Sequence, residues 1–305
     1  TRKFGMNSAT SRSTTGMTQL DFDVEMKAAE FFDCEDAVYL PSGYLSNIAG
    51  IQALAEMKKF DVVFIDETAH YCNRDGAYSV NKPITVFRNN DPQDLKNKIR
   101  KKIKSGGKPL LVTDGLFSVY GVMAHIPEFL KIAEDYEGSI WIDDAHGSGI
   151  LGPNGRGTYD YFGLKSERLF FGSTLSKAFG GFGGIVAGKN DFIKNVRAGN
   201  VLKGGSKPTN AAAAASLKGL EIVMAHPEMR ETLWENARFL KKGLQSLGIR
   251  VEHNYLPMAA FSIGSKEKTK ELHCRLLNKG IFIQYSNYVG AGDRGVLRMV
   301  VFSTH

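Results

Sequence analysis

Short apolar runs ending in an acidic residue recur along this chain, with helical stretches between them, and that alternation limits the fold more than any other feature. Residues 61–65, 110–113 and 139–142 read as strands followed at once by Asp66, Asp114 and Asp143, and residues 84–87, 169–171 and 184–187 read as further strands. Between them lie helix patterns such as 126–136, which carries Phe129, Leu130 and Ala133 on one side. Apolar strands alternating with helices imply a mostly parallel sheet covered on both faces, hence an α/β fold. Open sheets of this kind take ligands beyond the carboxyl ends of their strands, so the three aspartates are candidate site positions on pattern alone. Beyond about residue 188 long helices take over, through the alanine run 211–215 and on to Gly243. Strand-like segments at 250–252, 260–263, 282–284 and 297–302, with a helix over 268–277, then predict a smaller α+β unit. The expected division is a large domain over 1–225 and a small C-terminal domain over 226–305.

Composition excludes several classes of function. With 43% hydrophobic and 23% charged residues over 305 positions, the chain is an ordinary globular sequence. It contains no apolar run long enough to span a membrane, and residues 1–20 lack the apolar core of a signal peptide, so a cytoplasmic protein without integral membrane association is expected. The net charge of +7 is concentrated in Lys96, Lys98, Arg100, Lys101, Lys102, Lys104 and Lys108. These follow an Asp91-Pro92 helix start, and Leu95, Ile99 and Ile103 supply the apolar stripe of that helix, so the lysines read as its solvated face. No aromatic residues are interleaved with them, and no nucleic-acid partner is expected. Cys34, Cys72 and Cys274 lack the spacing of a disulfide framework or a zinc motif, so reduced thiols and no metal are expected.

The segment 183–189 spells G-x-x-x-x-G-K but continues with Asn190, and its centre, Ile185-Val186-Ala187, is strand-like, so it is not a phosphate loop. The informative stretch is Thr174-Leu175-Ser176-Lys177-Ala178-Phe179-Gly180-Gly181. A lysine leaving an apolar strand into a glycine-rich turn is expected to be partly desolvated, which lowers its pKa and suits it to Schiff-base chemistry. Some thirty residues earlier stands Asp143-Asp144-Ala145-His146-Gly147. An acid able to hold a pyridine nitrogen protonated, with a histidine three residues on, complements such a lysine in a pyridoxal phosphate site.

With these residues the chain resembles the α-oxoamine synthases, fold type I pyridoxal-phosphate enzymes whose branches include 8-amino-7-oxononanoate synthase, glycine C-acetyltransferase and serine palmitoyltransferase. Further anchors are Ser42-Gly43-Tyr44-x-x-Asn47, Ala69-His70, Thr113-Asp114-Gly115-x-Phe117-Ser118, Gly152-x-x-Gly155-Arg156-Gly157 and Leu297-Arg298. The resemblance implies an aspartate aminotransferase-like fold, pyridoxal 5'-phosphate as cofactor, and condensation of an amino acid with an acyl-CoA, with decarboxylation, to an α-amino ketone. It implies that Lys177 carries the cofactor and moves the α-proton, that Asp143 pairs with the ring nitrogen, that His146 bonds the ring oxygen and that His70 stacks on the ring. It further implies phosphate contacts from Thr174 and the amides of Gly43 and Tyr44, polar positions near the cofactor at Asp114 and Ser118, carboxylate recognition by Arg298, and a homodimer.

Departures from the family pattern leave the acyl donor open. Ser118-Val119-Tyr120-Gly121-Val122 stands where the family usually has Ser-Met-Asp-Gly-Asp, and Tyr71-Cys72 stands where a small residue and serine are usual. Asp21 replaces a histidine near the start of the first helix. Lys203-Gly204-Gly205-Ser206-Lys207-Pro208 replaces a Ser/Thr-rich stretch that reaches the neighbouring subunit's phosphate, with Ser206 or Lys207 as candidate substitutes. Against the family pattern the chain reads as trimmed of an N-terminal arm and a final helix. A fold type I aminotransferase, a carbon–carbon lyase and a weakly active partner subunit are the alternatives.

Overall fold

The structure, a computed structural model, describes all residues except 1, 4 and 9. The chain forms two compact units, one of residues 1–115 and 124–226, the other of 116–123 and 227–305. Strands β1 (Asp36–Leu40), β2 (Val62–Asp66), β3 (Ile84–Phe87) and β4 (Pro109–Asp114) precede a short hairpin, β5 (Leu116–Phe117) and β6 (Val122–Met123), and β7 (Ser139–Asp143), β8 (Leu169–Thr174) and β9 (Gly184–Gly188) follow it. The first unit holds a seven-stranded sheet in the order β1-β9-β8-β7-β4-β2-β3. Pairs from β8 to β3 run parallel, while β9 and β1 close one edge antiparallel. β4 and β7 are buried at every position, as centre strands of a sheet covered on both faces must be.

Around this sheet lie α1 (Gln19–Phe32), α2 (Gly43–Glu56), α3 (Tyr71–Tyr78), α4 (Pro92–Lys102), α5 (Ile126–Asp135), α6 (Thr158–Tyr161), α7 (Asn190–Ala198), α8 (Asn200–Gly204) and α9 (Asn210–Ala225). The basic segment is α4: the Asp91 side chain caps it, Leu95 and Ile99 are fully buried, and Arg100, Lys101 and Lys102 are exposed. Helix α2 lies unusually close to the sheet because two glycines let it. A Cβ at Gly50 would sit 1.9 Å from the Trp141 indole, and one at Gly172 on β8 would sit 2.8 Å from the same ring. Trp141 is fully buried there and donates Nε1–H to Asn47 Oδ1 at 2.8 Å.

The second unit combines the β5–β6 hairpin with α10 (Glu228–Ser246), α11 (Lys266–Leu277) and a three-stranded antiparallel sheet of β10 (Met258–Phe261), β12 (Val296–Val300) and β11 (Gln284–Ser286). The strand expected at 250–252 does not form. Asn254 N–H donates to Glu252 O at 3.1 Å, bending the chain before it can join a ladder. Among the described residues no helix is long and apolar enough to cross a membrane.

Candidate active site

The parallel strands deliver their terminal carboxylates to one end of the sheet. In the β4–β7 ladder Asp114 stands opposite Asp143, so two buried acids lie side by side. Asp143 meets the cost of burial with hydrogen bonds. Its Oδ1 accepts Ala145 N–H at 3.0 Å, and its Oδ2 accepts Asn47 Nδ2 at 3.0 Å and Cys72 Sγ at 3.2 Å. Asp114 Oδ1 accepts His70 N–H at 3.1 Å and Asn73 Nδ2 at 2.8 Å. Burial first, and the neighbouring charge of Asp143 second, push the Asp114 carboxyl well above the ordinary range.

His70 caps α3, its Nδ1 accepting Cys72 N–H at 3.2 Å and lying 2.8 Å from Cys72 Sγ. Desolvation lowers its pKa; Asp143 opposes that shift and the Lys177 charge adds to it, so all three groups share one field. The Tyr44 ring meets the His70 ring edge-on at 6.1 Å between centroids, and its hydroxyl donates to Asp75.

Gly43 and Tyr44 open α2, at the positive end of the helix dipole, which favours an anion. Only glycine fits at 43, because a Cβ would lie 2.7 Å from Thr174 Cβ. Thr174 ends β8, and its hydroxyl donates to Gly183 O at 2.8 Å. Lys177 follows in the turn, and its side chain is exposed rather than desolvated, because β8 stops three residues earlier and residues 176–178 lie at the surface. His146 lies half-buried in the turn after β7. In the second unit Ser118 and Arg298 pair with each other: Arg298 Nε–H donates to Ser118 O at 2.8 Å, and burial lowers the Arg298 pKa.

This donor set fits pyridoxal phosphate. It offers a buried, fully bonded carboxylate for a protonated ring nitrogen, an imidazole beside it, and a glycine-opened helix N-terminus next to a threonine for a phosphate. The sequence motif Ser42-Gly43-Tyr44-x-x-Asn47 included Asn47 without giving it a role; one turn along α2 from Gly43, it bonds Asp143, Cys72 and Trp141 together. Cys72 stood out in the sequence only as an unusual residue. At the loop expected to reach a neighbouring phosphate, Lys207 is fully buried, with Nζ 2.8 Å from Asp21 Oδ2 and 2.6 Å from Asn210 Oδ1. Its charge is therefore committed within the subunit, and of the two candidates only the exposed Ser206 keeps that position.

Comparisons with known proteins bear on the family and the fold. The chain matches the family model for aminotransferase class I and II over residues 2–305. It is 35% identical over 309 residues to 8-amino-7-oxononanoate synthase of Lysinibacillus sphaericus, covering 99% of this chain and 78% of that protein. It is 32% identical over 305 residues to 8-amino-7-oxononanoate synthase 1 of Bacillus velezensis, covering 99% and 77%. A serine palmitoyltransferase variant from S. paucimobilis with a bound PLP–myriocin aldimine superposes on 100% of this chain and 77% of that one, with a TM-score of 0.91 at 26% identity. Shared fold, family model and relatives converge on one assignment: the chain belongs to the aminotransferase class I and II family, as a pyridoxal-phosphate-dependent α-oxoamine synthase.

Proposed function

We propose that this chain condenses an amino acid with an acyl-CoA thioester, releasing CoA and CO2, to give an α-amino ketone of the 8-amino-7-oxononanoate type. The observation that carries this reading is the Asn47–Asp143–Cys72–His70 network beside Asp114, set in the same field as Lys177. Bound pyridoxal phosphate supplies an electron sink for the pair left on the substrate's α-carbon. Asp143 keeps the ring nitrogen protonated, His70 covers one ring face and His146 donates to the ring oxygen. Thr174 and the amides of Gly43 and Tyr44 hold the phosphate, while Asp114 and Ser118 supply polar positions near the cofactor. Lys177 Nζ tethers the cofactor, takes the α-proton and returns it. The Arg298 fork recognises the amino-acid carboxylate, a bidentate task that lysine performs poorly. The reading includes a homodimer in the cytoplasm.

The experiment is a screen for CoA thiol release by the pyridoxal-phosphate-loaded protein with alanine, glycine or serine and a panel of acyl-CoAs. Release must require both substrates, and Lys177→Ala is expected to lower it at least about 1,000-fold, since tether and base are lost together. CoA release without an amino acid, or amino-group transfer as the main reaction, would overturn the proposal.

A further inference from the structure

We infer that His70, Cys72 and Asp143 form a site for a thiophilic divalent cation, zinc or cobalt, and that the cation and pyridoxal phosphate exclude one another. A ring nitrogen of His70, Cys72 Sγ and a carboxylate oxygen of Asp143 all lie within 4.8 Å of one another. The set combines the three ligand types that zinc takes in proteins; burial and the Asp143 charge hold Cys72 as a thiol, so the cation displaces the Cys72 thiol proton to solvent, and the resulting thiolate and the carboxylate together balance a divalent charge. At zinc bond lengths, tetrahedral ligands stand about 3.3–3.7 Å apart. Here Cys72 Sγ lies 2.8 Å from His70 Nδ1 and 3.2 Å from Asp143 Oδ2, so each of these two pairs needs to part by less than about 1 Å to admit the ion.

A supporting shell is already in place. Asn47 Nδ2 donates to both the Cys72 sulfur, at 3.2 Å, and the Asp143 carboxylate, at 3.0 Å, and Ala145 N–H holds the other Asp143 oxygen. Asp114, opposite Asp143 in the ladder, adds a second carboxylate to the field, and Lys177 opposes it. His70 is half-buried while Cys72 and Asp143 are buried, which leaves an approach from the histidine side. No linear motif announces the site, because Cys72 and Asp143 come from segments 71 residues apart. Exclusion rests on the proposed role of Asp143: a cation on Oδ2 removes the acid that faces the ring nitrogen.

The test titrates the full chain with cobalt(II) or zinc(II) alone, before and after loading with pyridoxal phosphate. One equivalent is expected to bind the cofactor-free chain, with a thiolate-to-cobalt charge-transfer band that prior cofactor loading prevents. The Cys34→Ser/Cys274→Ser double variant, whose remaining thiol is Cys72, should keep the band, whereas Cys72→Ser should weaken cation binding at least about 100-fold. A band that survives Cys72→Ser, or is missing from the double variant, overturns the site. Simultaneous binding of cation and cofactor overturns the exclusion. Failure of the metal-free chain to take up pyridoxal phosphate would count against the proposed function instead, and the cobalt titration would still decide the site.

Discussion

Lys207 and Asp21 form an ion pair with side chains 0% and 1% exposed, and at such a position breaking the pair matters more than making it. Asp21 also closes the start of α1, its Oδ2 accepting Thr18 N–H at 2.8 Å, so one carboxylate serves both the cap and the ammonium. Lys207→Met would leave that carboxylate buried with its cation gone, and a loss of about 3–5 kcal/mol is expected in urea unfolding. Adding Asp21→Asn should recover part of the loss, because no uncompensated charge then remains. A single Lys207→Met variant with unchanged stability would show that the pair is not closed in solution. Each residue was visible in the sequence as a departure from the family pattern, but their pairing was not. They lie 186 residues apart, and no local spacing connects them. The same limit separated Cys72 from Asp143, whereas Lys177, Asp143 and His146 were legible because each sits in a short motif whose chemistry is local.

Among the elements, α2 is the one on which the site depends most directly, since it carries Gly43 and Tyr44 at its start and Asn47 and Gly50 along the face toward Trp141. Gly50→Ala would normally strengthen a helix by about 1 kcal/mol. Here the added methyl would enter the indole ring, and overpacking of this kind costs typically about 1–3 kcal/mol. Net destabilisation is expected, together with weaker pyridoxal phosphate binding as α2 lifts and moves the Gly43 amide from Thr174; cofactor titration and thermal unfolding measure the two effects. A variant that binds the cofactor as well as the parent would show that the helix N-terminus does not set the phosphate position. Elements of this kind were readable where the pattern was long or strongly apolar, as in β4, β7 and α4. β1 was not read as a strand, although its five residues are as many as those of β9, which was, and 250–252 misled because an extended run becomes a strand only when a partner edge is available.

For the whole molecule, packing both faces of a parallel sheet buries the ends of its strands, and so places acids where water cannot hydrate them. Alternating strands and helices made that architecture legible; the energetic state of the buried acids follows from the assembled fold alone. Asp144 shows the consequence. Burial first, and the Asp143 charge as a smaller contribution, push its carboxyl from an ordinary 3.8 up to about 7, although Oδ2 accepts Thr158 N–H at 2.7 Å. Because the folded pKa lies above the unfolded one, the folded state binds more protons between 3.8 and about 7, and stability from this group rises as pH falls through that window. Above it the carboxylate is charged in both states and the fold bears the penalty; below the unfolded value the gain is complete. Asp114 shifts in the same direction, while His70, with its pKa lowered, works the opposite way as pH falls through the histidine range. One proton corresponds to a slope of about 1.4 kcal/mol per pH unit. Asp144→Asn removes that proton and keeps an oxygen for Thr158. Because the folded group is only half protonated at pH 7, the parent is expected to gain about 1.5 kcal/mol relative to Asp144→Asn between pH 7 and 5.5, read from urea midpoints at equal m-values. Parallel stability curves for the two proteins would mean that Asp144 ionises like an exposed acid and that water reaches the turn after β7.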